Sequence, residues 1–110
     1  MAKKNNFFPE EFPFWARLKF GKKRTTLVID QEMRLNKKKG RVEDHYVHRE
    51  ATSTANKGLE KIDPNPDRSK SDPMYLKGVR WHPKYLLSVH NKTLDMPQFL
   101  KDRYSKNNKK

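Results

Sequence analysis

Residues 13–51 read PFWARLKFGKKRTTLVIDQEMRLNKKKGRVEDHYVHREA, and they hold the only sustained strand patterning in the chain. From Phe14 to Phe20 the side chains alternate. Phe14, Ala16, Leu18 and Phe20 fall on one face and Trp15, Arg17 and Lys19 on the other, which is the period of a half-buried strand. Gly21-Lys22-Lys23 supplies a turn. The next segment, Arg24 to Met33, is centred on Thr25-Thr26-Leu27-Val28-Ile29, β-branched and apolar on both faces, which predicts a central strand covered on both sides. Asn36-Lys37-Lys38-Lys39-Gly40 then offers Asn and Gly for turn conformations, and Arg41 to Ala51 returns as a third, more polar strand. Short connections between consecutive strands predict an antiparallel meander.

A chain of 110 residues with 33% hydrophobic and 35% charged residues can form one small domain, residues 1–110, around a small core. Its charge is the loudest signal. Lys plus Arg number 26 against 13 Asp plus Glu, a net charge of +13, which favours nucleic acid, an anionic membrane or a very acidic protein as partner. The absence of cysteine excludes disulfides and thiolate metal sites and is compatible with a cytosolic chain. No apolar run approaches the roughly 20 residues of a membrane span, and Met1 to Asn6 lacks the apolar segment of a secretory signal. The expectation is a soluble cytoplasmic protein with no membrane partner.

Residues 1–6 are polar and are expected to form a flexible arm. The aromatics that follow, Phe7, Phe8, Phe12, Phe14 and Trp15, are broken by Pro9 and Pro13, which exclude a regular helix interior. Core packing fits Phe7, Phe8, Phe12 and Phe14, because the chain has few other large apolar residues. Trp15 shares a strand face with Arg17 and Lys19, so stacking on a base and core packing are both open for it. Trp81, farther along, is a second stacking candidate.

Two basic turns flank the central strand: Lys19, Lys22, Lys23 and Arg24 at one end, and Lys37, Lys38, Lys39 and Arg41 at the other. A strand of that length holds them about 30 Å apart, a span that could follow several phosphates of a nucleic-acid backbone. Each cluster alone reads better as a solvated turn protecting a sheet edge, and it is the two together, in a chain of net charge +13, that favour phosphate contact. Nothing resembles a helical recognition motif, a zinc finger or a glycine-rich phosphate loop, and no cofactor is indicated.

The third strand, Val42 to Glu50, is the densest collection of groups able to do chemistry. Alternation places Asp44, Tyr46, His48 and Glu50 on one face and Glu43, His45, Val47 and Arg49 on the other. His45 and His48 are thereby separated, so no metal site is expected from them. His48, Arg49 and Glu50 are the residue types that metal-independent RNA cleavage needs: a base for the 2′-hydroxyl, a cation for the transition state and an acid for the leaving oxygen. Alternation turns Arg49 away from the other two, however, and the competing expectation is a polar outer strand ion-paired to the basic first strand.

The order of a short aromatic strand, a basic turn and Arg24-Thr-Thr-Leu-Val-Ile-Asp30 resembles the opening of the PemK/MazF family of small toxin endoribonucleases, over about a quarter of the chain. The family's proline after the arginine is Thr25 here, and its Gly-Asp-Ile-Val-Trp-type opening is absent. The resemblance implies a small SH3-like barrel, a dimer and mRNA cleavage, with Arg24 matching the family's arginine. The chain is also similar to short basic proteins of Gram-positive mobile elements, which implies no activity.

From Thr52 to Pro73 the sequence turns to Ser, Thr, Asn, Asp, Lys and Pro, predicting a long loop over 52–73, with a short apolar contact at Gly58 to Ile62. Its Asp63, Asp67 and Asp72 would repel phosphate, which places it away from a binding face. Met74 to Trp81 reads as a fourth strand with a bulge or bend at Gly78, and Lys84 to His90 as one helical turn. Asp95 as N-cap, Gln98 completing a capping box, and a Leu94–Phe99 staple predict a helix from Met96 to Ser105 that docks through Phe99, Leu100 and Tyr104. Residues 106–110 read as a basic tail. The expected fold is a β-rich α+β domain, a small antiparallel sheet or SH3-like barrel with a C-terminal helix. The expected function is nucleic-acid binding, RNA ahead of DNA, with an endoribonuclease or an inhibitor of an acidic protein as alternatives.

Overall fold

The structure, a computed structural model, describes residues 11–89 and 94–105. The expected arm and tail, and Phe7 and Phe8, lie outside the described residues. In chain order the elements are β1 (Phe14–Leu18), β2 (Thr25–Asn36), β3 (Arg41–Thr52), β4 (Glu60–Ile62), β5 (Met74–Pro83), a 3₁₀ turn (Lys84–Leu86), β6 (Leu87–Val89) and α1 (Gln98–Tyr104). All six strands pair antiparallel in one sheet of order β4-β5-β3-β2-β1-β6. The protein is therefore a β-rich α+β fold.

Connectivity forces the sheet to roll up. Strand β5 pairs with β3, β6 pairs with β1, and only Lys84–Leu86 separates the two. In a flat sheet they would stand four strand spacings apart, roughly 19 Å. The link from Pro83 to Leu87 spans about 14 Å even fully extended, and less in a 3₁₀ turn. Strands β5-β3-β2-β1-β6 must therefore curl until their edges approach, and Phe20, just past β1, reaches His82 on β5 with ring centroids 5.0 Å apart.

The predicted alternation of β1 is present, but both of its faces are buried. Phe14, Ala16, Leu18, Val28, Tyr46 and Leu87 form the core inside the curl, with Phe12, Phe20 and Leu86 packed against it. Trp15, Leu27, Ile29, Val47, Ala51, Ile62, Met74 and Leu76 form a second core on the opposite face, closed by Leu100 of α1. The doubly apolar centre of β2 is the strand shared by both.

The stretch 52–73 is not a loop throughout. Its middle, Glu60–Ile62, pairs with β5 as an edge strand and buries Ile62. The loop also approaches the first basic turn, because Asp67 and Lys70 line one cleft of about 180 Å³ together with Arg24. Gly78 falls where the β3–β5 register shifts between Arg49 and Ala51, the expected bulge. The helical turn expected within 84–90 is a 3₁₀ turn at Lys84–Leu86, and Leu87–Val89 continues as a strand.

Helix α1 starts later than the caps predict. Pro97 is its N-cap, with no side-chain cap hydrogen bond, because Leu94 and Asp95 are held extended by the bridge to Asp67 and by the Asp95 N–H donating to the Pro66 carbonyl. The Asp95 carboxylate instead meets Arg68 at 3.3 Å, both exposed. Leu100 is fully buried while Phe99 is exposed, so the docking stripe is Leu100 and Tyr104. Asp95→Ala is accordingly expected to change stability by no more than about 0.5 kcal/mol in urea unfolding, whereas loss of a true cap would cost about 1 kcal/mol. Among the described residues no helix is long and apolar enough to cross a membrane.

Candidate functional site

Strands β2 and β3 run past the rest of the sheet. The last β1 partner of β2 is Val28 and the last β5 partner of β3 is His45, yet the β2–β3 ladder continues to Asn36↔Arg41. The result is a two-stranded arm ending in Lys37-Lys38-Lys39-Gly40. Asn36 shapes its tip, since its Oδ1 accepts from the Lys38 and Lys39 N–H groups and its carbonyl accepts from Gly40. Gly40 takes φ +67 there, a conformation that favours glycine.

Glu43 clamps the base of the tip. Its carboxylate accepts from Asn36 Nδ2 at 2.6 Å, Arg41 Nε at 3.3 Å and the Tyr85 hydroxyl at 3.2 Å, and the Asn36 bond is the main reason its pKa lies below the usual value. Tyr85 belongs to the 3₁₀ turn, so the link between β5 and β6 braces the arm. Lys39 lies over the Tyr85 ring at 4.5 Å. Neither Lys37 nor Lys38 pairs with a carboxylate among the described residues.

The first basic turn lies at the other end of β2, as predicted. Lys19, Lys22 and Lys23 are exposed, Arg24 donates to Thr52 Oγ1 at 3.3 Å, and Arg17 is exposed on β1 opposite Thr25. Several carboxylates are held in ion pairs away from the turn lysines: Glu50 with Arg80 and Lys77, Glu60 with Arg49 and Arg103, and Glu43 with Arg41. Among the described residues no turn lysine forms an ion pair.

The two tryptophans differ. Trp15 is 3% exposed and its Nε1 donates to the Asp95 carbonyl at 3.0 Å, so it is a core residue and offers no face for stacking. Trp81 is 40% exposed, with Arg34 4.5 Å over its ring and Nε1 donating to Glu32. It presents an aromatic surface beside the arm.

His48, Arg49 and Glu50 do not converge. Arg49 turns to the helix side, donating to the Lys77 carbonyl, Glu60 and the Tyr104 hydroxyl at 2.8–3.0 Å. It joins β3, β4's Glu60 and α1, a structural clamp that Arg103 completes by binding both Glu60 oxygens at 2.9 Å. We expect Arg49→Ala to cost about 2 kcal/mol, read by urea unfolding, with nucleic-acid affinity of the folded protein unchanged.

The third strand is also not an outer face. His45, Tyr46, Val47, His48 and Glu50 are buried, and its Glu50 pairs with Arg80 and Lys77 of β5 rather than with β1, because β2 and β5 flank it. His48 is fully buried, 2.7 Å from Thr26 Oγ1 through Nδ1 and 2.8 Å from His82 Nδ1 through Nε2. Burial first, then His82 and Arg80, depress its pKa to about 4, and burial likewise lowers that of His82. Burial pushes Tyr46 up to about 12. His45 is on the opposite face, bonded to the Glu43 carbonyl, and among the described residues no three His, Asp or Glu are placed to hold a metal ion.

Sequence reasoning missed Arg80, His82 and Thr26. Alternation along Arg80-Trp81-His82 would have put Arg80 and His82 on one face, but the register His48↔Arg80 depends on how far the chain travels between β3 and β5, which no local pattern records. No family model, curated protein or solved structure matches this chain.

Proposed function

We propose that the protein binds nucleic acid, RNA ahead of DNA, by gripping phosphates with the lysines at the two ends of β2. The observation that carries this is the braced arm: Asn36, Glu43 and Tyr85 hold the tip in one conformation while Lys37 and Lys38 remain without acidic partners. A preorganised cationic turn gives up less side-chain and loop freedom on binding than a floppy one. The net charge of +13 adds long-range attraction toward a polyanion. Exposed Met33, Leu35 and Val42 on the arm give it apolar contact area beside the cations, and Trp81 gives a π surface.

Neutralising Lys37, Lys38 and Lys39 together to Gln is expected to weaken binding to all sequences about equally. The slope of log K against log salt should fall by roughly 0.7 per contact on single strands and 0.9 on duplex. Fluorescence anisotropy with labelled single-stranded RNA and duplex DNA across a salt series reads both quantities. An unchanged slope would remove the arm from the interface. Tight, salt-sensitive capture of an acidic protein with no affinity for either nucleic acid would favour the inhibitor reading instead.

A further inference from the structure

We propose a phosphate-binding site at His82 and Arg80 on β5, in which His82 presents an N–H donor whose tautomer is fixed by a buried relay through His48 to Thr26. The proposal deepens the nucleic-acid reading by naming a contact for a phosphodiester of a single strand that is separate from the arm.

The relay runs in one direction. Thr26 is fully buried, and among the described residues its hydroxyl has one hydrogen-bond partner, His48 Nδ1. A buried O–H without an acceptor suffers the full desolvation penalty, while a hydroxyl oxygen lacking a donor loses less, so the Thr26 hydroxyl donates to Nδ1. Neutral His48 must then carry its proton on Nε2, which donates to His82 Nδ1 at 2.8 Å. With Nδ1 of His82 accepting, its own proton sits on Nε2. No described group accepts from that Nε2–H, and among the described residues no buried side-chain polar atom lacks a partner. The donor therefore faces solvent.

Arg80 stands two residues before His82 on the same face of β5. Its guanidinium is anchored through one nitrogen to Glu50 Oε2 at 3.0 Å, the Glu50 side chain being 7% exposed and the Arg80 side chain 56%. Its remaining donors are turned outward. Phe20 borders His82, ring centroids 5.0 Å apart, and Lys19 and Lys22 flank Phe20 in the chain. A neutral donor and a fixed cation suit a phosphate oxygen, which strengthens every hydrogen bond that it accepts. The same tautomer leaves no lone pair on the outward nitrogen, so His82 acts as a donor and not as a base.

The test is long-range ¹⁵N–¹H correlation of the histidine rings in the full chain near pH 7.5, followed by titration with oligouridylate and, separately, inorganic phosphate. We expect His48 and His82 both as Nε2–H tautomers, with His82 Nε2 shifting on either addition while the His45 ring stays put. Thr26→Val, which keeps the shape and removes the hydroxyl, should mix the His48 and His82 tautomers. Arg80→Gln should lower the salt slope for oligouridylate by roughly 0.7. An Nδ1–H tautomer at His82 would overturn the proposal, as would a His82 ring unmoved by both ligands. Oligouridylate binding with His82 silent would do so while leaving the arm reading intact. A shift with inorganic phosphate but no oligouridylate binding would uphold the site and sink the nucleic-acid reading.

Discussion

Trp15→Ala is expected to lower the unfolding free energy by about 3–5 kcal/mol, a large part of what a small domain has. The indole lies in the core between Leu27, Ile29 and Leu100, and its Nε1 donates to the Asp95 carbonyl. It thus ties β1 to the segment that leads into α1, and its removal leaves both a cavity and an unpaired carbonyl. Urea unfolding followed by circular dichroism measures the loss. Trp15→Phe, which retains most of the volume, keeps the comparison possible should the alanine variant fail to fold, and it should lose markedly less. Nucleic-acid affinity of folded Trp15→Phe should equal that of the wild type. A stable variant with weakened binding would mean that Trp15 stacks on bases.

Acidification is the second large effect. In the unfolded chain His48 takes up its proton near pH 6.5, but in the fold it resists to about pH 4. Its folded pKa is lowered, so between those values the unfolded state binds more protons. The stabilisation is fully present above pH 6.5 and is lost progressively as pH falls toward 4. The gap of about 2.5 pH units, at about 1.36 kcal/mol each, is about 3 kcal/mol. His82 shifts in the same direction. The groups facing His48 are Thr26 and Val28 from β2, Tyr46 and Glu50 from its own strand, and Arg80 and His82 from β5. Between pH 6.5 and 5 few carboxylates titrate, so this interval isolates the histidines. Urea midpoints should fall through it in the wild type and much less in His48→Gln. A flat wild-type profile there would mean that His48 is not held neutral by burial.

The parts of the fold legible in the sequence are those set by local periodicity. Strand β1 follows from side-chain alternation and β2 from a β-branched run apolar on both faces, β3 and β5 are set off by the turn residues around them, and the tip turn follows from Asn36 and Gly40. Strands β4 and β6, three residues each, are too short to show a period and exist because β5 and β1 offer unpaired edges. Trp15 was ambiguous for a related reason. Its neighbours Arg17 and Lys19 suggest a solvent face, but the segment leading into α1, 80 residues later in the chain, takes the indole N–H on the Asp95 carbonyl. Asp95 has the composition of an N-cap, yet its extended backbone is fixed by Pro66 and Asp67 across the fold, and the helix begins only after Pro97.

The site was legible in the same uneven way. The lysines of both turns could be named because turn chemistry and charge are local, and the separation of Arg49 from His48 followed from strand parity. The cation beside Glu50 could not be found from β3 alone. It comes from Arg80 through a strand register, as does the second histidine.

The most direct test of phosphate gripping by the ends of β2 is the salt dependence of wild-type binding to single-stranded RNA. With Lys22, Lys23, Lys37, Lys38 and Lys39 each meeting a phosphate, log K should fall against log salt with a slope of about −3 or steeper, at roughly 0.7 per contact. A slope near zero, or no binding at low salt to either RNA or DNA, would contradict the account.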